Sequence, residues 1–177
     1  MISRRTFLGA AGLTGGAVLL GGCGSADEIS IEAATTEENI DILRRLLQPE
    51  VRAAAFYERA AELLDGEVAE AAELFARQER EHVDAITEAI EDLGGTPSTE
   101  DEKNEIPDGD DEILQAAAEI ENRAIAAMND AAGRLSDPAL RRTIFEIVAV
   151  EAEHLAVLNG ELGQIQVPDA FTTGARA

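Results

Sequence analysis

Glu79-Arg80-Glu81-His82 and Glu151-Ala152-Glu153-His154 are two copies of one short pattern, Glu-x-x-His. The chain has only two histidines, and each closes one copy. On a helix, positions i and i+3 share a face. Each pair can therefore aim one carboxylate and one imidazole at a common point. Two such pairs facing each other, joined by one further Glu from each of two other helices, would hold two divalent metal ions side by side. Carboxylate and imidazole ligands suit both iron and manganese.

Positioning such a site takes four helices, and the sequence supplies them. Thr35 or Thr36 can cap a first helix, with Glu37 and Glu38 in its first turn. Ile40, Leu43, Leu46 and Leu47, then Val51, Ala54, Tyr57, Ala61 and Leu64, follow helical periodicity. Pro49 lies inside that run, so a kink or a broken helix is expected there. Asp65-Gly66 ends the run. A second helix is expected from about Glu67 to Leu93, stopped by Gly94-Gly95-Thr96-Pro97. The acidic, aperiodic stretch from Pro97 to Asp111 reads as a long crossover. Asp110 or Asp111 can cap a third helix ending near Leu135. Pro138 suits the first position of a fourth, which runs to about Leu162 or Gln164. Two helical hairpins joined by one long crossover make an all-α four-helix bundle, here over residues 37–164, with 165–177 a flexible tail.

An internal repeat selects the ligands. Arg52 matches Arg123, Ala53 matches Ala124, Ala60-Ala61 matches Ala131-Ala132, and Leu64 matches Leu135. Beyond a one-residue gap, Glu79, Glu81 and His82 match Glu151, Glu153 and His154. In this register Glu50 pairs with Glu121. In a hairpin, residues at equal distance from the turn lie side by side, which places Glu50 level with Glu79 and Glu121 level with Glu151. Glu58 is the rival in the first helix, but at 1.5 Å per residue it sits roughly 9 Å too near the turn. Its repeat partner is Asn129, a poor ligand. Glu119 rivals Glu121, but its partner is Gln48. Glu81 and Glu153 are two positions from the chosen Glu and point away. The set is Glu50, Glu79, His82, Glu121, Glu151 and His154. Four carboxylates buried in one bundle repel strongly unless cations or protons are present.

Composition narrows the function classes. The chain has 177 residues and a net charge of -22, from 36 acidic and 14 basic residues, all but Lys103 of the latter being Arg. Such a charge repels nucleic acid and anionic membrane surfaces. It is tolerated in concentrated salt, where screening removes most of the self-repulsion. The Lys-poor, acidic balance resembles that of proteins from halophilic archaea. Aromatic residues are only 3% and Trp is absent, which favours an Ala/Leu helical core over a β protein. Cys23 is the only cysteine, so rubredoxin-type and zinc-thiolate sites are excluded by counting.

Residues 1–23 read as a targeting segment. Ser3-Arg4-Arg5-Thr6-Phe7-Leu8 resembles the twin-arginine export motif, and Gly9 to Leu20 is an apolar run too short to span a bilayer comfortably. Leu20-Gly21-Gly22-Cys23 resembles a lipobox, in which Cys23 would carry the lipid. Residues 24–36 would then tether the bundle to the outer face of the cytoplasmic membrane. The resemblance to twin-arginine signals implies that the protein crosses folded, so that a metal could be loaded before export.

The whole pattern resembles the ferritin-like superfamily, and is most similar to its exported ferritin-like domain proteins. The residues that carry the resemblance are Glu50 with Phe56-Tyr57, Glu79 to Ile86, Glu121, and Glu151 to His154. Gln48-Pro49 stands where an apolar pair is usual, Met128 where an aromatic is frequent, and the electron-transfer domain of rubrerythrins is absent. The resemblance implies that Glu79 and Glu151 bridge two iron ions (manganese being the alternative). Glu50 and Glu121 would be terminal ligands, and each His would bind one ion. It implies oxidation of the ions by oxygen or peroxide, a ferroxidase or peroxidase-like oxidoreductase, with carboxylates shifting between terminal and bridging modes. The competing expectations are a non-catalytic metal-binding protein and a structural or stress-related bundle. A lipid-tethered subunit fits a homodimer better than a closed storage shell.

Overall fold

The structure is a computed structural model and describes residues 35–99 and 105–174. The expected signal segment with Cys23, and the tether as far as residue 34, lie outside the described residues. The described residues form four helices and no strand: α1 (Thr36–Leu63), α2 (Gly66–Asp92), α3 (Asp110–Arg134) and α4 (Pro138–Glu161).

Local chemistry explains where three of the four helices begin. Thr35 caps α1 through a reciprocal capping box: its hydroxyl accepts from the Glu38 N–H at 3.2 Å, and Glu38 accepts from the Thr35 N–H at 2.7 Å. Asp137 caps α4 by accepting from the Ala139 N–H at 2.7 Å, with Pro138 at the first helical position. The start of α3 differs from the sequence expectation. Its cap is Gly109, at φ 103°, a backbone conformation that favours glycine. Asp110 and Asp111 instead lie in the first turn, where their charges face the positive end of the helix dipole.

Pro49 does not break α1, which runs through it as one helix. The proline removes one backbone hydrogen bond and crowds the preceding turn. Leu46, Leu47 and Glu50 are buried on either side of it, so tertiary packing holds the helix across the lesion. Each fully buried Leu or Ile contributes about 1.5–3 kcal/mol, comparable to the ~3 kcal/mol that an interior proline costs.

The helices pack as two hairpins, α1 on α2 and α3 on α4, with further contacts of α1 with α3 and of α2 with α4. Two apolar clusters occupy the core. One gathers Leu43 and Leu47 of α1, Ile86 and Ile90 of α2, Ile125 and Met128 of α3, and Ile144 and Ile147 of α4. The other gathers Phe56 and Tyr57, Ala72 and Phe75, Ile113 and Leu114, and Leu158 from the same four helices. Going along the chain, α1 and α4 pass from the first cluster to the second, whereas α2 and α3 pass from the second to the first. Consecutive helices α2 and α3 are therefore parallel, which is why their connection has to travel the length of the bundle.

The tail was expected to be loose, but residues 165–174 lie back against α3 and α4. The Asn129 side chain donates to the Thr172 carbonyl at 3.1 Å, and the Asn159 side chain to the Gln166 carbonyl at 3.3 Å. Gly174 sits so close to Asn122 and Ala126 that a Cβ there would lie 2.4 Å from their backbone atoms. Backbone carbonyl capture by two asparagines leaves no periodic trace in the sequence. Among the described residues, no helix is long and apolar enough to cross a membrane.

Candidate metal centre

In every helix the polar residues of interest fall between the two apolar clusters. Glu50 comes from α1, Glu79 and His82 from α2, Glu121 from α3, and Glu151 and His154 from α4. All six are buried. Burying a carboxylate without a partner is costly, so the arrangement calls for an explanation beyond packing.

The six side chains converge. His82 Nδ1 lies 3.4 Å from Glu50 Oε2, 3.5 Å from Glu79 Oε2 and 3.0 Å from Glu151 Oε1. His154 Nδ1 lies 3.3 Å from Glu79 Oε1, 3.5 Å from Glu121 Oε1 and 3.4 Å from Glu151 Oε2. Glu79 and Glu151 thus each turn one oxygen toward each histidine, while Glu50 faces only His82 and Glu121 only His154. The two rings are 6.4 Å apart between centroids. The result is two adjoining nests of ligand atoms, Glu50–Glu79–His82–Glu151 and Glu79–Glu121–Glu151–His154. Within each, the ligand atoms lie within 4.8 Å of one another.

These atoms are close together but not hydrogen-bonded. Glu50 Oε2, both oxygens of Glu79 and of Glu151, Glu121 Oε2 and both Nδ1 atoms lack a partner. Among the described residues, the only other buried side-chain polar atom in that state is Thr87 Oγ1. Buried polar groups are nearly always satisfied, and this cluster of orphaned oxygens and nitrogens aimed at shared points could hold a cation. The donor set, carboxylate oxygen with imidazole nitrogen, fits iron or manganese.

Electrostatics carry the same message. Burial works against a charged imidazole, yet the carboxylates of Glu151, Glu50 and Glu79 outweigh it and push His82 up to about 12. His154 is likewise pushed up to about 11, by Glu121, Glu151 and Glu79 against burial. Burial holds Glu50 well above the usual carboxylate range, against the proximity of His82. Burial and the neighbouring Glu151 do the same to Glu121. Burial would raise Glu151 too, but Glu121 and both histidines hold it below the ordinary range. Positive charge is what this centre demands.

Around the centre stand residues that the sequence did not single out. Gln78 Oε1 lies 2.9 Å from His154 Nε2, and the Phe75 ring packs on His154 at 4.0 Å between centroids. The Tyr57 hydroxyl donates to Glu121 Oε1. Glu58 lies outside, paired with Arg80, and Glu119 is exposed beside Arg123. Glu81 and Glu153 also face outward. A signal for Gln78 existed: it breaks the repeat, because its counterpart in the second hairpin is Val150.

A bundle of two antiparallel helix pairs, with one crossover and a four-carboxylate, two-histidine centre, defines a ferritin-like architecture. The ferritin-like domain family profile matches residues 38–164, most of the chain, and the chain belongs to that family. Among solved structures, it is similar to the Rhodobacter capsulatus bacterioferritin described with a metal-free dinuclear site and haem iron. The TM-score is 0.68 and the identity 19%, over 74% of this chain and 86% of that one. It is also similar to a ferritin-like, diiron-carboxylate protein of Bacillus anthracis, with TM-score 0.64 and identity 22%, over 72% of this chain and 96% of that one. No curated protein matches the sequence.

Proposed function

We propose that this chain holds two metal ions, iron first and manganese second, between its two Glu-x-x-His pairs, and that it is a diiron-carboxylate oxidoreductase acting on oxygen or peroxide. The observation that carries this reading is the set of buried, partnerless ligand atoms shared by two adjoining nests. Glu79 and Glu151, each facing both histidines, would serve both ions. Glu50 with His82, and Glu121 with His154, complete the two positions. The description of the Bacillus anthracis neighbour as a diiron-carboxylate protein supports the same chemistry.

Iron bound there supplies one-electron redox chemistry toward oxygen or peroxide. The protein's own contributions are legible. Gln78 accepts the outer N–H of His154, which leaves Nδ1 free to face the centre. The Tyr57 hydroxyl fixes one oxygen of Glu121. The two apolar clusters exclude bulk water on either side, which strengthens every electrostatic interaction between them.

The location belongs to the same proposal. The twin-arginine-like motif and the lipobox ending at Cys23 support export and anchoring on the outer face of the cytoplasmic membrane. The acidic composition supports a saline setting.

Metal analysis of the full chain, purified in high salt, tests the reading. About two iron or manganese ions per chain are expected, and a His82→Ala/His154→Ala variant of unchanged helicity should lose them. A folded wild-type chain that stays metal-free after anaerobic incubation with ferrous and manganous ions overturns the proposal. Oxygen and peroxide consumption by the loaded chain then separates turnover from storage.

A further inference from the structure

The two hairpins repeat each other in their ligands but not in the residues behind them. Tyr57, which donates to Glu121, corresponds to Met128 in the second hairpin. Gln78, which faces the outer nitrogen of His154, corresponds to Val150. Phe75, which packs on His154, corresponds to Ile147. Every one of these differences falls the same way. All three supporting groups serve the Glu121–His154 position. The counterparts that the repeat directs toward Glu50 and His82 are a thioether, an isopropyl group and a branched alkyl chain. None of them can donate to a carboxylate or accept an imidazole N–H as Tyr57 and Gln78 do. Solvent access follows the same division, since His82 is 7% exposed and His154 is 1% exposed.

We propose that the two metal positions are unequal by construction: Tyr57, Gln78 and Phe75 make the Glu121–His154 position retentive, while the Glu50–His82 position exchanges its ion with solvent. The inference rests on the dinuclear reading above. Its physical basis is that outer partners set ligand orientation, and their loss typically lowers metal affinity by about 10- to 100-fold. An imidazole whose outer N–H has an acceptor is fixed in tautomer and ring angle, so it keeps its ion. Glu79 and Glu151 belong to both positions and cannot cause the difference. Gln78 is a positioning residue that acts through His154.

The test is metal release from the full chain loaded anaerobically with Mn2+. A divalent-metal chelator is added and the EPR signal of freed Mn2+ is followed. Two phases of equal amplitude are expected. Gln78→Val should speed the slow phase by about 10-fold and leave the fast one in place. Val150→Gln should slow the fast phase, an effect that general loosening of the fold cannot produce. A chain that binds two ions and releases both in one phase overturns this inference and leaves the metal centre standing. So does a folded Gln78→Val chain with an unchanged slow phase. A chain that takes up neither Mn2+ nor Fe2+ overturns both.

Discussion

Glu58 Oε1 accepts a hydrogen bond from Arg80 Nε at 2.7 Å on the outside of the α1–α2 hairpin. Both side chains are about half exposed. Only two turns earlier on the same helix, Glu50 is buried and faces His82 at 3.4 Å. One helix thus presents two carboxylates in opposite environments, and they predict opposite phenotypes. Glu58→Gln should change stability by at most about 1 kcal/mol, the usual range for an exposed ion pair, and leave metal content intact. Glu50→Gln should lose one ion per chain. Metal analysis of both variants decides. Loss of metal from Glu58→Gln alone would move the first-helix ligand to the outer face.

Acid should compete with metal for the centre. In the metal-free protein, His82 and His154 are pushed up to about 12 and 11, so both imidazoles are protonated at neutral pH. Glu50 and Glu121 also hold protons to higher pH than ordinary carboxylates. Metal binding must displace these protons, so uptake should release acid and affinity should rise with pH. Stability of the metal-free fold runs the other way. A raised folded-state pKa means the native state binds more protons than the unfolded chain. The histidine contribution is therefore complete below about 6.5 and is lost as pH climbs toward 11–12. Glu151, held low, contributes stability above the ordinary carboxylate range that disappears in acid. Urea midpoints of metal-free and metal-loaded protein, measured from neutral pH upward, should diverge as the pH rises. Parallel curves would contradict the proton-for-metal exchange.

Asn39, buried at the start of α1, clamps the α3–α4 turn. Its side-chain N–H donates to Ser136 Oγ at 3.0 Å, and its Oδ1 accepts from the Ser136 N–H at 3.3 Å. The clamp joins the first hairpin to the second at the end of the bundle away from the α1–α2 turn. Asn39→Ala would remove both of these hydrogen bonds, at about 0.5–1.5 kcal/mol each. Chemical denaturation should register that loss. Metal content should be unchanged, because the clamp lies more than two turns of α1 from Glu50.

Much of this molecule is written in periodic signals that a sequence displays openly. The i, i+3 spacing of Glu79 with His82 and of Glu151 with His154 is one, and the apolar stripes of the four helices are another. The hairpin-depth argument that preferred Glu50 over Glu58 rests on the nearly constant rise per residue along a helix, and the structure puts Glu50 3.4 Å from His82 and Glu58 on the outer face. Non-periodic features were hidden. Gln78 sits in a helix rich in Glu and Arg, and only its mismatch with Val150 in the repeat sets it apart. Gly109 displaced the expected aspartate caps because the chain enters α3 through a positive φ. Pro49 reads locally as a breaker, and only the buried residues around it show why α1 continues. The tail is held by side-chain donors to backbone carbonyls, which any sequence can supply.

Tyr57 provides the last test, because its role changes with the state of the centre. It is fully buried among Phe56, Phe75 and His154, edge-on to all three rings, and its hydroxyl donates to Glu121. Burial and the charge of Glu121 push the phenol well above its ordinary range, so it remains a donor. Tyr57→Phe keeps the ring packing and removes only that donor. In the metal-free protein, Glu121 would then be buried without it, and stability should fall by about 1–3 kcal/mol. In the loaded protein, metal coordination also satisfies the Glu121 carboxylate, so the loss should be smaller. Denaturation of both forms of the variant measures the difference. Equal losses with and without metal would mean that Glu121 is not a ligand and that Tyr57 is only a core residue with a hydrogen bond.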